Sequence, residues 1–132
     1  MMTIVCIKKQ CAWILLIAGL FFSFRAANAA VECEMLSDYA SKTGVYIPGD
    51  DAQRVVTGDG RLQFYSAPDF SCKMNGVFVI KGQLVDAYTE YKGVTSVVYL
   101  GTGTEPPVTG WVRSNRLNPT GKGIAPSQKD SE

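Results

Sequence analysis

Short apolar runs separated by polar residues and turns make up most of the chain after residue 52. Within residues 61–66, Leu62 and Phe64 alternate with polar positions, which is the period of a strand with one buried face. The same pattern, bounded by Gly- and Pro-containing turns, predicts further strands at residues 53–57, 76–80, 84–91, 95–100 and 109–113. The run at residues 76–80 is apolar throughout, as expected of a strand buried on both faces. These elements predict an all-β fold, either a small barrel or a sandwich, and a barrel with one core is the simpler packing.

The segments around these strands are short. Residues 30–42 carry the only helical pattern, and Gly44 and Pro48 end it. Residues 101–107 are too rich in Gly and Pro to pair, and residues 114–117 predict a single tight turn. The predicted core consists of Leu62, Phe64, Val77, Val79, Leu84, Val97, Val112 and Leu117.

The N-terminus has the pattern of a secretion signal. Lys8 and Lys9 precede an apolar run at residues 11–24, and the small residues Ala-Asn-Ala follow at 27–29. We therefore predict a cleavable signal peptide at residues 1–29. The alternative is an uncleaved anchor helix, but the apolar run is shorter than the roughly 20 residues that span a bilayer. No stable membrane anchor is expected after cleavage.

Cleavage changes the cysteine count. Cys6 and Cys11 leave with the signal peptide, and Cys33 and Cys72 remain as a pair in an oxidising compartment, the periplasm, where a disulfide is expected. A metal site is the weaker alternative, because two cysteines without any histidine do not complete a zinc shell. A lipid-anchored cysteine is disfavoured because the acidic Glu32 precedes Cys33.

The charge and length of the chain after cleavage limit its partners and its number of domains. The whole sequence has 13 basic and 12 acidic residues, and cleavage removes the three basic residues Lys8, Lys9 and Arg25. Ten basic and twelve acidic residues then remain, so no basic patch is expected that would indicate nucleic acid or anionic lipid as a partner. One domain fits this length. We expect an N-terminal extension at residues 30–57, a barrel at 58–118 and a disordered tail at 119–132.

Three segments of the barrel region resemble a known family. Residues 62–68 (Leu-Gln-Phe-Tyr-Ser-Ala-Pro) form an apolar strand that ends in a Pro turn, and residues 78–84 (Phe-Val-Ile-Lys-Gly-Gln-Leu) place a Lys-Gly turn between two strands. Residues 110–117 (Gly-Trp-Val-Arg-Ser-Asn-Arg-Leu) are similar to the Gly-Trp-Val ending of bacterial SH3-like domains. The resemblance covers about residues 60–118. It implies an SH3-like barrel in which a one-turn 3₁₀ segment delivers a leucine to the core, and peptidoglycan as a class of ligand. A Cys33–Cys72 bridge would pin the N-terminal extension onto that barrel.

The sequence offers little catalytic chemistry. Histidine is absent, which removes Ser-His-Asp and Cys-His catalysis and the common zinc hydrolase sites. Two carboxylate pairs remain: Asp50 with Asp51 in a solvated turn, and Asp86 with Glu90 on one strand face. Catalytic acids require burial that neither place indicates. We therefore expect neither an enzyme nor a cofactor.

Recognition is the remaining class of function. Exposed aromatic residues are frequent in binding surfaces because each has a large apolar face, although tyrosines also half-cover small barrels. The candidate binding surface comprises Tyr65, Phe70, Tyr88, Glu90 and Trp111, together with the acidic turn at Asp50 and Asp51. Trp111 is ambiguous, because in the similar family it largely packs against the barrel.

Three functions follow from an exported domain without catalytic groups. The first is an immunity protein that inhibits a toxin or hydrolase of the cell wall, with residues 101–108 or the Asp50–Asp51 turn plugging the active-site cleft. The second, implied by the resemblance, is a module that binds the stem peptides of peptidoglycan. The third is a structural protein of the envelope without a single ligand. We expect a protein partner in preference to peptidoglycan.

Overall fold

A computed structural model describes residues 24–124. Residues 1–23, which hold most of the predicted signal peptide, and residues 125–132 lie outside the described part, and cleavage after Ala29 stays a prediction. Contacts divide the chain into one unit up to Glu32 and another from Cys33. All strands of the described residues belong to the second unit.

Residues 24–124 form one α-helix, eight β-strands and three one-turn 3₁₀ segments. The helix, α1, spans Phe24–Thr43 and contains the helical segment predicted at residues 30–42. The strands are β1 (Val45–Tyr46), β2 (Gln53–Val56), β3 (Leu62–Tyr65), β4 (Lys73–Val79), β5 (Leu84–Tyr91), β6 (Val94–Tyr99), β7 (Val108–Arg113) and β8 (Leu117–Pro119). The 3₁₀ segments are Gly49–Asp51, Phe70–Cys72 and Ser114–Arg116. The six predicted strands and the tight turn at 114–117 are thus confirmed, and the fold is mostly β.

All eight strands join one antiparallel sheet in the order β4-β3-β7-β6-β5-β2-β8, with β1 paired to β5. Consecutive strands β5, β6 and β7 are neighbours, as hairpins require. The predicted β5–β6 turn is made by Lys92 (φ 46°) and Gly93 (φ 79°), because a two-residue hairpin loop of this type needs two left-handed residues. The turn at residues 58–60 has a different role, since it connects β2 and β3, which are not neighbours.

The core lies on one face of this sheet. Its buried members are Val56, Leu62, Phe64, Val79, Val85, Ala87, Val97, Val112 and Leu117. Val77 is partly buried against them, so seven of the eight predicted core residues belong to the core or its margin. The prediction for Leu84 is wrong: this side chain is 49% exposed. Val85 and Ala87 point into the core, and because successive residues of a strand face opposite sides, Leu84 points away from it.

The expectation that residues 76–80 are buried on both faces is also wrong. Strand β4 pairs only with β3 and is an edge of the sheet. Val79 is fully buried on the core side, but Ile80 is 48% exposed. On the other side, Phe78 is partly exposed, and the guanidinium of Arg61 lies 4.3 Å from its ring centroid. A continuous apolar run therefore does not distinguish a central strand from this edge strand.

The C-terminal half of α1 packs on the opposite face of the sheet. Trp111 of β7 is 2% exposed, and its Nε1–H donates a 2.9 Å hydrogen bond to the Ser37 hydroxyl. The pairing register of β5 shifts between Ala87 and Thr89, so that Thr89 pairs with Ser96, which in turn pairs with Trp111. Thr89 is consequently buried on the helix side of the sheet, although Ala87 belongs to the core.

The chain after β8 stays attached to the sheet. The Thr120 N–H donates to the Gln53 carbonyl, the Gln53 N–H to the Lys122 carbonyl, and the Ile124 N–H to the Gly49 carbonyl. The predicted disordered tail, which was placed at residues 119–132, is therefore wrong for residues 119–124. Backbone groups of Thr120, Lys122 and Ile124 find partners on β2 and in the Gly49–Asp51 segment, a pairing that composition does not reveal.

Candidate functional site

The loop between β3 and β4 is held in place by polar and covalent bonds. The Asp69 carboxylate accepts hydrogen bonds from the Ser71 hydroxyl (2.5 Å) and the Ser71 N–H (2.8 Å). These bonds, the hydroxyl's foremost, lower the pKa of the Asp69 carboxyl from its usual value. Cys72 ends the 3₁₀ turn and forms the predicted disulfide with Cys33, with 5.8 Å between the two Cα atoms. The loop is thereby joined to α1.

This fixed loop presents Phe70 to solvent. Its side chain is 64% exposed, although an exposed phenylalanine gains nothing from contact with water. The ring packs edge-to-face against Tyr65 of β3, with 5.5 Å between ring centroids. The guanidinium of Arg113 lies 4.8 Å from the centroid of the Phe70 ring, within range of a cation–π contact. The three side chains form one continuous patch.

Two cavities adjoin this patch and share Arg113. The smaller, of about 210 Å³, is lined by Arg61, Leu62, Gln63, Tyr65, Arg113 and Arg116. The larger, of about 610 Å³, is shallow and is lined by Phe70, Lys92, Gly93, Val94, Arg113, Ser114 and Asn115. We call Arg61, Tyr65, Phe70, Lys92 and Arg113 the arginine–aromatic surface.

The cavities are positively charged. Four cations line them, and no acidic residue of the described chain does. Arg116 is engaged within the fold, since it donates to the carbonyls of Thr57, Gly58 and Gly60 and so fixes the β2–β3 turn. Among the described residues, Arg61, Lys92 and Arg113 take part in no ion pair, because the two ion pairs found there are Lys42–Asp38 and Arg54–Asp51. The expectation that no basic patch would remain is therefore wrong for this face.

Tyr65 and Phe70 are the two predicted binding residues that the structure brings together. Trp111 requires a correction: it is buried beneath α1 and hydrogen-bonded there, so it does not belong to an accessible surface. Its neighbour across the sheet is Tyr65, with which it is paired in register. Because residues paired in register project from the same face of a sheet, Trp111 lies beside Tyr65, where α1 covers it.

The remaining predicted residues lie apart from the two cavities. Tyr88 (41% exposed) and Glu90 are exposed on β5, and neither lines either of these two cavities. The expectation that Asp86 and Glu90 share one strand face is wrong. The register shift pairs Asp86 with Val98 but Glu90 with Thr95, and residues three apart on β6 face opposite sides.

The acidic turn is a separate feature. Asp50 and Asp51 are exposed in the 3₁₀ segment Gly49–Asp51, and Arg54 Nη1 lies 3.9 Å from the Asp51 carboxylate. Within residues 24–124, no group of three or more His, Cys, Asp or Glu side chains is arranged to hold a metal ion. The loop at residues 101–107, the other predicted plug, is unpaired and largely exposed.

The sequence indicated the aromatic half of the site but not the cations. Arg61, Lys92 and Arg113 are 21 or more positions apart along the chain, and only the pairing of β3 with β7 and the β5–β6 turn bring them to one face. A signal was available: Arg113 pairs with Val94 next to the Lys92–Gly93 turn, as a β6–β7 hairpin would predict.

No protein-family model, curated protein or solved structure matches this chain. In the part of the chain that the structure describes, no helix is both long enough and apolar enough to cross a membrane.

Proposed function

We propose that this chain is an exported, non-catalytic binding protein that acts as an immunity protein, neutralising a toxin or hydrolase that attacks the cell wall. The observation that carries the proposal is the exposed Phe70 on a loop that Asp69, Ser71 and the Cys33–Cys72 disulfide hold in one conformation. A rigid exposed aromatic next to an unpaired arginine is typical of the energetic centre of a protein interface.

The proposed fold within this function is an SH3-like barrel. Three features support it: the β5-β6-β7 meander, the one-turn 3₁₀ segment Ser114–Arg116 after the Gly-Trp-Val sequence, and the delivery of Leu117 to the core immediately after that turn. The single antiparallel sheet of eight strands is compatible with such a barrel.

The proposed location is the periplasm, reached through the predicted signal peptide. An intramolecular disulfide is compatible with an oxidising compartment, where such bonds form and persist. A periplasmic domain of this size meets wall-degrading enzymes directly, which is the situation in which an inhibitor protects the cell.

A binding function is preferred to catalysis on the chemistry of the candidate residues. The chain has no histidine, Cys33 and Cys72 are bonded to each other, and the β5 register places Asp86 and Glu90 on opposite faces. Asp50 and Asp51 are exposed in the 3₁₀ segment Gly49–Asp51 and line neither of the two cavities.

The test is an affinity capture from the source cells. The bait is the protein recovered after export of the full chain, under oxidising conditions, beside a Phe70→Ala variant and a matched Leu84→Ala control. Leu84 is 49% exposed and lies outside both cavities, so its truncation removes a similar apolar side chain from another place. We expect one stoichiometric wall hydrolase or toxin, inhibited by the bait and bound about 30-fold more weakly by Phe70→Ala alone.

Peptidoglycan is the second candidate, favoured by the cations at the two cavities, which would meet the free carboxylates of stem peptides. Incubation of the same three baits with purified sacculi tests it. Retention on sacculi without any captured protein would replace the inhibitor proposal with wall binding. Equal capture of a protein by wild type and Phe70→Ala would contradict the role of this surface.

A further inference from the structure

We propose that the arginine–aromatic surface binds an acidic segment of the partner protein, with a partner carboxylate held between Arg61 and Arg113. This inference rests on the proposed function, because it names the chemistry that the partner presents. The smaller cavity, whose polar lining comes from Arg61, Gln63, Arg113 and Arg116, is the place for the carboxylate. The larger cavity, with Phe70 and Val94, takes an apolar side chain next to it.

The first argument is the charge of the surface. A guanidinium presents its N–H groups in a planar fork that matches both oxygens of a carboxylate. Neither Arg61 nor Arg113 has an ion pair or a side-chain hydrogen bond to another residue of the described chain, and no acidic residue there lines the cavities. No carboxylate of residues 24–124 completes these sites, and we assign that role to the partner protein.

The second argument is the way the arginines are held. Each guanidinium lies over an aromatic ring: Arg113 over Phe70 at 4.8 Å and Arg61 over Phe78 at 4.3 Å. A guanidinium that lies over a ring keeps its N–H edge available for hydrogen bonds, and the contact restricts its rotamers. Less side-chain entropy is then lost when a carboxylate binds.

The third argument concerns the kind of anion. The exported chain has ten basic and twelve acidic residues, and four of the basic ones line the cavities. The rest of the chain therefore has six basic residues against twelve acidic ones. A long polyanion such as nucleic acid, or an anionic membrane, would contact and be repelled by this excess of negative charge. A short acidic segment of a protein meets only the local cations.

A peptide titration tests the inference on the protein recovered after export of the full chain. The probes are a blocked Glu-Phe-Glu peptide and its Gln-Phe-Gln counterpart, and the readout is the ¹H–¹⁵N NMR spectrum in low and high salt. We expect only the acidic peptide to shift the Phe70, Val94 and Arg113 signals, with affinity falling several-fold as salt increases. Arg113→Gln should weaken binding at least about tenfold.

Lys81→Gln is the matched control, since Lys81 is an exposed cation in the β4–β5 turn and lines neither cavity. It should bind the acidic peptide as wild type does. Equal shifts with both peptides, equal losses in Arg113→Gln and Lys81→Gln, or no shift up to about 5 mM peptide would overturn the inference.

The peptide test of this inference and the capture test of the proposed function can fail separately. If capture yields no inhibited hydrolase or toxin but the acidic peptide binds, the immunity role fails and the surface chemistry stands. If capture succeeds and Arg113→Gln captures the same partner with unchanged affinity and salt dependence, the immunity role stands and this inference fails. If no protein is captured and Arg113→Gln loses binding to sacculi, the carboxylate belongs to the wall. The inference that a protein segment supplies it would then be overturned.

Discussion

Removal of the Cys33–Cys72 disulfide should destabilise the domain by about 4 kcal/mol. The two cysteines are 39 positions apart, and a cross-link over a loop of this length removes about 13 cal/mol/K of entropy from the unfolded chain. At 25 °C this corresponds to about 3.9 kcal/mol of the free energy of unfolding. Since a domain of this size has a total of about 5–15 kcal/mol, the bond is a large part of its stability.

The perturbation is the double variant Cys33→Ser, Cys72→Ser, compared with wild type in urea. Trp111 is the single tryptophan after the predicted cleavage site, and it is buried beneath α1, so its fluorescence reports unfolding directly. With a denaturant slope of about 2 kcal/mol per molar urea, the midpoint should fall by about 2 M. Wild type treated with a reducing agent should unfold at the same midpoint as the double variant.

The control is the double variant with and without reducing agent, which should show no difference. A loss of less than about 1 kcal/mol would refute the reasoning, because it would mean that the unfolded chain gains little freedom when the bond is removed. An unchanged midpoint in reduced wild type, combined with a lowered midpoint in the double variant, would attribute the loss to the serine substitutions instead.

Three further predictions concern the contacts that hold α1 and the Phe70 loop. Gly44→Ala should lower the free energy of unfolding by about 1–3 kcal/mol, because a Cβ there would lie 2.6 Å from Thr89 Cγ2 and 2.7 Å from the Glu90 carbonyl oxygen. Gly49→Ala is the control in the same urea assay, since a Cβ at residue 49 meets nothing within 4 Å. Ser37→Ala should cost about 1 kcal/mol, since it leaves the indole N–H of Trp111 without its partner, and an unchanged midpoint would contradict that bond. The pKa of the Asp69 carboxyl, followed by NMR, should lie below the ordinary value of about 3.9, because Ser71 donates hydrogen bonds to it. These bonds contribute stability that is present above that pH and lost as the pH falls through the lowered pKa. A titration midpoint at or above about 3.9 would contradict them.

The regular part of the fold was predictable because strand alternation and turn chemistry are local. The alternation around Leu62 and Phe64 and the Lys92–Gly93 turn each depend on neighbours within a few residues. Leu84 shows the limit of that information. It stands at the first position of β5, where an apolar side chain satisfies the composition of a core strand, and its apolar character does not reveal that Val85, and not Leu84, faces inward.

The candidate site was predictable only in part, because it depends on contacts distant in sequence. Phe70 could be identified from its place in a loop just before Cys72, and Tyr65 from the alternation of β3. The burial of Trp111 depends on α1, whose helical segment precedes it by about 70 residues, and no local pattern indicates that this helix covers β7. For the same reason the total charge did not reveal a local excess of cations.

Stability and the proposed recognition depend on the same bonds in this domain. The disulfide that restricts the unfolded chain also ends the 3₁₀ turn bearing Phe70, and Phe70 in turn lies against Arg113. Reduction should therefore weaken binding before it unfolds the domain, because the loop loses its link to α1 while the sheet keeps its core. A binding surface built in this way is complete only after the two cysteines are oxidised. An inhibitor that is assembled in the compartment where its target acts fits the function we propose.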